Sequence, residues 1–122
     1  MKKPKISICI VTYNQADKIR RAIQSVLDQE IACEIEIIVS DDCSTDETRT
    51  VLSEIVESNR DIFRLNLLSS NVGPFKNYRL AHRLARGDYV AHLDGDDVFL
   101  PGKLAKQARY LDEHPECSIV AH

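Results

Sequence analysis

The chain alternates between short apolar runs and longer amphipathic stretches. Residues 5–12 (KISICIVT) are nearly all apolar or small, the pattern of a strand that hides both faces in a parallel sheet. Beyond Tyr13-Asn14-Gln15, the residues Ile19, Ala22, Ile23, Val26 and Leu27 recur at helical spacing and predict a helix that fades near Gln29. Asn14 is placed to cap it, with Asp17 favourable to its dipole. Residues 34–40 (EIEIIVS) predict a second strand. Ser44-Thr45-Asp46-Glu47 then has capping-box spacing before a helix carrying Val51, Leu52, Ile55 and Val56. Phe63, Leu65 and Leu67 alternate, which predicts a third strand within 62–68. Asn71-Val72-Gly73-Pro74 is turn chemistry, followed by a helix to about Arg86. Leu80, Ala81, Leu84 and Ala85 point inward on that helix, and Gly87 is placed as its C′ stop. Residues 88–93 predict a fourth strand. Pro101 opens a helix with Leu104, Ala108 and Leu111 on one face, closed by His114-Pro115. Residues 118–121 look like the start of a fifth strand.

Strict alternation of strands and helices predicts an α/β, Rossmann-like fold: a mostly parallel sheet with helices on both faces. Right-handed crossovers then bring every strand's carboxyl end to one edge, outside which such sheets bind ligands. Three polar clusters end strands: Thr12-Tyr13-Asn14, Asp41-Asp42, and Asp94-Gly95-Asp96-Asp97. The fold gathers them on one rim. Three carboxylates in one turn repel one another and call for counter-charge. A Mg²⁺ or Mn²⁺ ion carrying phosphates is a natural partner. The plainer alternative is a solvated acidic turn in which Asp97 caps the next helix. Gly95 is expected to let the backbone take an unusual turn. Tyr13 suits stacking on a base, and an Asp from the second strand end suits a base N–H or a ribose hydroxyl. There is no GxGxxG and no GxxxxGK[ST], so neither a dinucleotide fingerprint nor a P-loop is present. A metal-bridged diphosphate suits a site with few backbone cradles.

Composition narrows the field. The 122 residues suit one domain, and a net charge of −3 gives no reason to expect nucleic acid or an anionic membrane. The basic start, Met1-Lys2-Lys3-Pro4, runs straight into strand-like alternation, unlike a signal peptide. Cys9, Cys33, Cys43 and Cys117 are widely spaced without a CxxC, which favours reduced thiols in a cytosolic protein. A zinc site has no pair of ligands at a short spacing to begin it. None of the four histidines is nominated: His82 reads as structural, His114 as part of a helix stop, and His92 faces either way.

The stretches Ser7-Ile8-Cys9-Ile10-Val11-Thr12-Tyr13-Asn14, Ile38 to Thr48 (IVSDDCSTDET), Asn71-Val72-Gly73, Ala85-Arg86-Gly87-Asp88-Tyr89 and Leu93-Asp94-Gly95-Asp96-Asp97 with Pro101 follow in a specific order and spacing. In that order the chain resembles the N-terminal half of family 2 glycosyltransferases, which have the GT-A fold. The resemblance covers residues 1–122 and implies a nucleotide-sugar (donor) binding domain, truncated before the acceptor-binding portion. It implies that Tyr13, beside Thr12, lies against the base, and that Asp42 pairs with that base, usually uracil, with Asp41 adjacent. It implies that Asp94-Gly95-Asp96 is the DxD motif, Asp94 facing the ribose or sugar and Asp96 carrying Mn²⁺ or Mg²⁺, with Asp94 the second candidate metal ligand and Asp97 in support. Where many relatives have Ala-Arg-Asn, this chain has Phe75-Lys76-Asn77-Tyr78-Arg79, and Lys76 is the candidate cation for the diphosphate. The implied reaction is transfer from a nucleotide-diphospho-sugar, a UDP-sugar by family expectation, with inversion at the anomeric carbon. The catalytic base is expected beyond residue 122, so the stretch alone is expected to bind donor without transferring sugar. The acceptor is left open among a saccharide, a lipid-linked sugar and a protein. Polysaccharide or cell-envelope synthesis in the cytoplasm, at the inner face of a membrane reached through a C-terminal region, is the setting implied.

Two other readings remain. A phospho-acceptor receiver domain has similar length, an acidic pair and Mg²⁺. Its acids, however, follow the first and third strands, and here they follow the second and fourth. A nucleotide-binding module without catalysis is the other.

Overall fold

The computed structural model describes residues 4–116. In chain order the elements are β1 (Ile6–Thr12), α1 (Ile19–Leu27), β2 (Ile35–Asp41), α2 (Thr48–Ser58), β3 (Phe63–Leu67), α3 (Pro74–Arg83), β4 (Tyr89–Asp94) and α4 (Lys103–Glu113). The strands form one parallel sheet in the order β3-β2-β1-β4. The expected α/β alternation is therefore present. The expected fifth strand at 118–121, and Cys117, lie outside the described residues.

β1 is central, and its apolar run feeds two cores because side chains alternate across a strand. Ile6, Ile8 and Ile10 pack with Ile19, Ala22, Ile23 and Val26 of α1, with Leu52 of α2 and with Leu104 of α4. Cys9 points the other way, into a smaller cluster with Ile38 and with Ala81 of α3. Helices thus cover both faces, α3 alone on the Cys9 side among the described residues. Burial pushes the Cys9 thiol up to about 12, with the charge of Glu36 adding to it. That suits a core residue whose Sγ–H donates to the Ala81 carbonyl.

Several local expectations are corrected. The first helical turn of α1 is not capped by Asn14, which has φ 51° and turns its side chain away. Its Oδ1 accepts the N–H groups of Thr45 (2.8 Å) and Asp46 (3.3 Å) across the rim. The Ser44–Glu47 capping box does not form either. Ser44 donates to Asp41, and Asp46 Oδ1 accepts the Thr48 N–H (2.9 Å) at the start of α2. Hydrogen bonds from the Thr48 hydroxyl, then from the backbone of Thr48 and Ala16, hold the Asp46 carboxyl below its ordinary value. The loops after β1 and β2 are in this way stitched together.

α3 ends at Arg83, so Gly87 is not its C′ residue. Gly87 is instead required by close approach: a Cβ there would stand 2.7 Å from the Ser7 nitrogen, and its N–H donates to Ser7 Oγ at 2.8 Å. α4 starts after Pro101 and Gly102, the latter at φ 80°. Asp97 lies too far upstream to cap it, and its N–H closes a turn onto the Asp94 carbonyl (3.0 Å).

Candidate functional site

The sheet order reverses at β1, because β2 lies on one side of it and β4 on the other. A cleft outside the carboxyl ends of the strands follows from that reversal. A groove of about 450 Å³ lies there. β1 contributes Val11, Thr12 and the following Tyr13; the β2 end contributes Asp42; the β3–α3 connection and α3 contribute Asn71, Pro74 and Asn77; the β4 end contributes Asp94 and Asp96. β2 and β4 are two strand spacings apart, so the groove spans about 10 Å from its Asp42 end to its acidic end.

At the acidic end, carboxylate oxygens of Asp94, Asp96 and Asp97 all lie within 4.8 Å of one another, and all three residues are exposed. Hard carboxylate oxygens at that spacing fit a divalent cation that keeps the rest of its shell for water and phosphate. This is the one such cluster among the described residues. The turn is set by packing. Gly95 is buried without a positive φ, and a Cβ there would stand 2.8 Å from Thr12 Oγ1 and 2.9 Å from Thr12 Cβ. The unusual turn expected of Gly95 is thus replaced by close approach to β1. A second hollow of about 340 Å³ opens on the far side of the acids, lined also by Arg21 and Lys103. Arg21 and Lys103 share that hollow with the three acids.

At the other end, Asp42 is buried, and its two oxygens accept the N–H groups of Val72 (2.7 Å) and Gly73 (3.0 Å). Each carboxylate oxygen keeps a further acceptor direction. Asp41 is wholly buried, paired with Arg49 Nε at 2.7 Å and accepting the Ser44 N–H at 3.0 Å, so it orders the turn. Tyr13 is 45% exposed on the groove wall. Thr12 Oγ1 donates to Gln15 Oε1 at 2.7 Å. Lys76 stands exposed in the first turn of α3, outside the residues that line the groove.

Sequence reasoning missed two residues. Asn77 is 2% exposed, with Nδ2 donating to the Ser40 carbonyl at 3.0 Å and Oδ1 without a partner among the described residues. His92 has Nε2 2.9 Å from Asp94 Oδ1. The i, i+2 spacing of His92 and Asp94 on one strand was the available signal, since it puts both on one face.

The profile described as Glycosyl transferase family 2 matches residues 7–122, and the chain belongs to that family. It is 37% identical over 118 residues to the Mycobacterium tuberculosis protein Rv1520, covering 96% of this chain and 34% of that one. The Staphylococcus aureus TarS 1–349 structure in complex with UDP-GlcNAc superposes with TM-score 0.82 at 32% identity, covering 91% of this chain and 32% of TarS 1–349. The Pyrobaculum calidifontis mannosyltransferase PcManGT, in complex with GDP-Man and Mn²⁺, has the same fold at TM-score 0.81 and 24% identity; the match covers 91% of this chain. The chain spans about a third of the length of Rv1520 and of two other mycobacterial relatives that it matches equally.

Proposed function

We propose that this chain is the donor half of a sugar-transferring enzyme, binding a nucleoside-diphospho-sugar, with UDP as its nucleotide, in the groove at the β1 switch point. The observation that carries the reading is that Asp94 and Asp96 line the same groove as Thr12, Tyr13 and Asp42. Membership of family 2 and the UDP-GlcNAc complex of TarS support it. Tyr13 offers its ring face to the base. Asp42, fixed by Val72 and Gly73, keeps acceptor directions for a base N–H. Asp96 and Asp94 hold Mn²⁺ or Mg²⁺, with Asp97 beside them. The cation supplies charge neutralisation to a departing diphosphate. Arg21 and Lys103, already beside the acids, add to that neutralisation, and Lys76 is a third cation on a flexible stem.

In the whole protein the proposed reaction is a single displacement with inversion, its deprotonating carboxylate supplied from outside these residues. Cytoplasmic work at the inner face of a membrane remains the proposed setting. Among the described residues no helix is long and apolar enough to cross a membrane.

Calorimetric titration of UDP, with Mn²⁺ and again with EDTA, tests the reading. Binding that requires Mn²⁺ and is lost in Asp96→Ala is expected. Silence from folded protein toward every nucleoside diphosphate would overturn it. A receiver domain would instead take phosphate from a small phosphodonor.

A further inference from the structure

We infer that His92 is a positioning residue for Asp94: it holds one carboxylate oxygen so that the other faces the cation and the donor. The inference rests on the donor-site reading above and deepens it. Asp94 ends β4 with its side chain 58% exposed, so packing alone holds its rotamer weakly. His92 Nε2 lies 2.9 Å from Asp94 Oδ1. An ionised carboxylate only accepts, so the proton of that bond is on Nε2. Nδ1 of the same ring is buried without a partner among the described residues, and in the neutral ring it carries the lone pair. The ring thus has one polar contact, and that contact is Asp94.

The ring is itself clamped. Tyr78 of α3 lies against it with centroids 4.5 Å apart, and His82 stacks on it at 5.3 Å and 28°. Tyr78 and His82 stack on each other at 4.0 Å, one helical turn apart, and His82 Nδ1 is 2.9 Å from the Tyr78 carbonyl. α3 therefore braces His92, and His92 braces Asp94. The same helix lines the groove through Pro74 and Asn77. A carboxylate pinned through one oxygen presents the other to a cation in a fixed direction. Residues that orient metal ligands in this way commonly change metal affinity 10- to 100-fold when removed.

Three variants separate orientation from packing. His92→Phe keeps a flat ring against Tyr78 and His82 and removes the N–H. His92→Gln keeps an N–H at about the Nε2 position and loses the ring. His92→Ala loses both. Binding of UDP is followed as a function of Mn²⁺, with thermal melting as the folding control. The expected result is that His92→Phe melts near wild type while its Mn²⁺ midpoint rises about tenfold, and that UDP affinity recovers at saturating Mn²⁺. His92→Gln stays within about threefold of wild type, and His92→Ala behaves like His92→Phe or worse. An unchanged Mn²⁺ midpoint in a folded His92→Phe overturns the inference alone. A change in which His92→Gln fares as badly as His92→Ala also overturns it, because packing is then the cause. Wild type that binds no nucleoside diphosphate at any Mn²⁺ concentration overturns the donor-site reading, and the inference with it.

Discussion

The carboxylate of Asp42 accepts the Gly73 N–H at 3.0 Å, tying the end of β2 to the entry of α3. Val72 donates to the other oxygen at 2.7 Å, and the Asn71 side chain donates to the Asp42 carbonyl at 3.1 Å. One buried carboxylate therefore shapes a wall of the groove before any ligand arrives. Replacing it with an amide puts an NH₂ where a backbone N–H must be accepted. Asp42→Asn is expected to lose about 1–3 kcal/mol of stability, the cost of a buried unsatisfied donor. Urea unfolding checks this, and UDP binding should fall together with it. Full stability in Asp42→Asn would show that the loop does not depend on the carboxylate.

Gly95 offers a sharper steric test. The first atom of any side chain there meets Thr12, whose backbone holds β1 to the Asp42 N–H at 3.0 Å. Gly95→Ala is expected to cost about 1–3 kcal/mol by overpacking and to move the acidic turn. A melting curve reports the first effect, and a weakened Mn²⁺ dependence of UDP binding reports the second.

Glu36 links stability to pH. Burial drives its carboxyl upward, but hydrogen bonds from Ser7 and from the Arg86 backbone and guanidinium, with the Arg86 charge, more than offset that and leave it below its ordinary 4.5. The folded value lies below the unfolded one, so its stabilisation is present above the unfolded value and is lost as pH falls through the folded value. Wild type should therefore lose more melting temperature than Glu36→Gln between about pH 6 and about pH 3. At neutral pH the variant is expected to be less stable by about 1–2 kcal/mol; the exposed Arg86 guanidinium returns to water, which keeps the figure small.

The cations near the acids give a fourth kind of test. Lys103 lines the acidic hollow, whereas Lys76 stands outside the groove lining. Lys103→Met is expected to weaken Mn²⁺-dependent UDP binding about fivefold, the scale of one exposed charge contact, and Lys76→Met by less. The reverse order in calorimetry would return the diphosphate contact to Lys76.

Much of this architecture could be read from periodicity. The apolar run 5–12 belongs to a strand buried on both faces, and the stripe from Ile19 to Leu27 belongs to α1. The acidic turn was legible because three carboxylates stand between a strand and Pro101. The cap assignment failed for Asn14 because it bonds residues about thirty positions away, and for Ser44 because its hydroxyl donates back to Asp41 and accepts the Asn14 N–H. Capping rules count local neighbours, and here the two loops satisfy each other. Gly87 and Gly95 were read as conformational glycines, but both are set by approach to β1, which only the sheet order reveals. His92 was ambiguous because its strand neighbours did not say which face α3 would cover.

The most direct test of the donor-site account is a crystal structure of the chain with UDP and Mn²⁺, using the anomalous signal of the metal. The account predicts a Mn²⁺ peak bonded to Asp96 and Asp94, the diphosphate on that ion and the base against Tyr13. A nucleotide bound elsewhere, or one seated in the groove with no metal at Asp94 and Asp96, would contradict it.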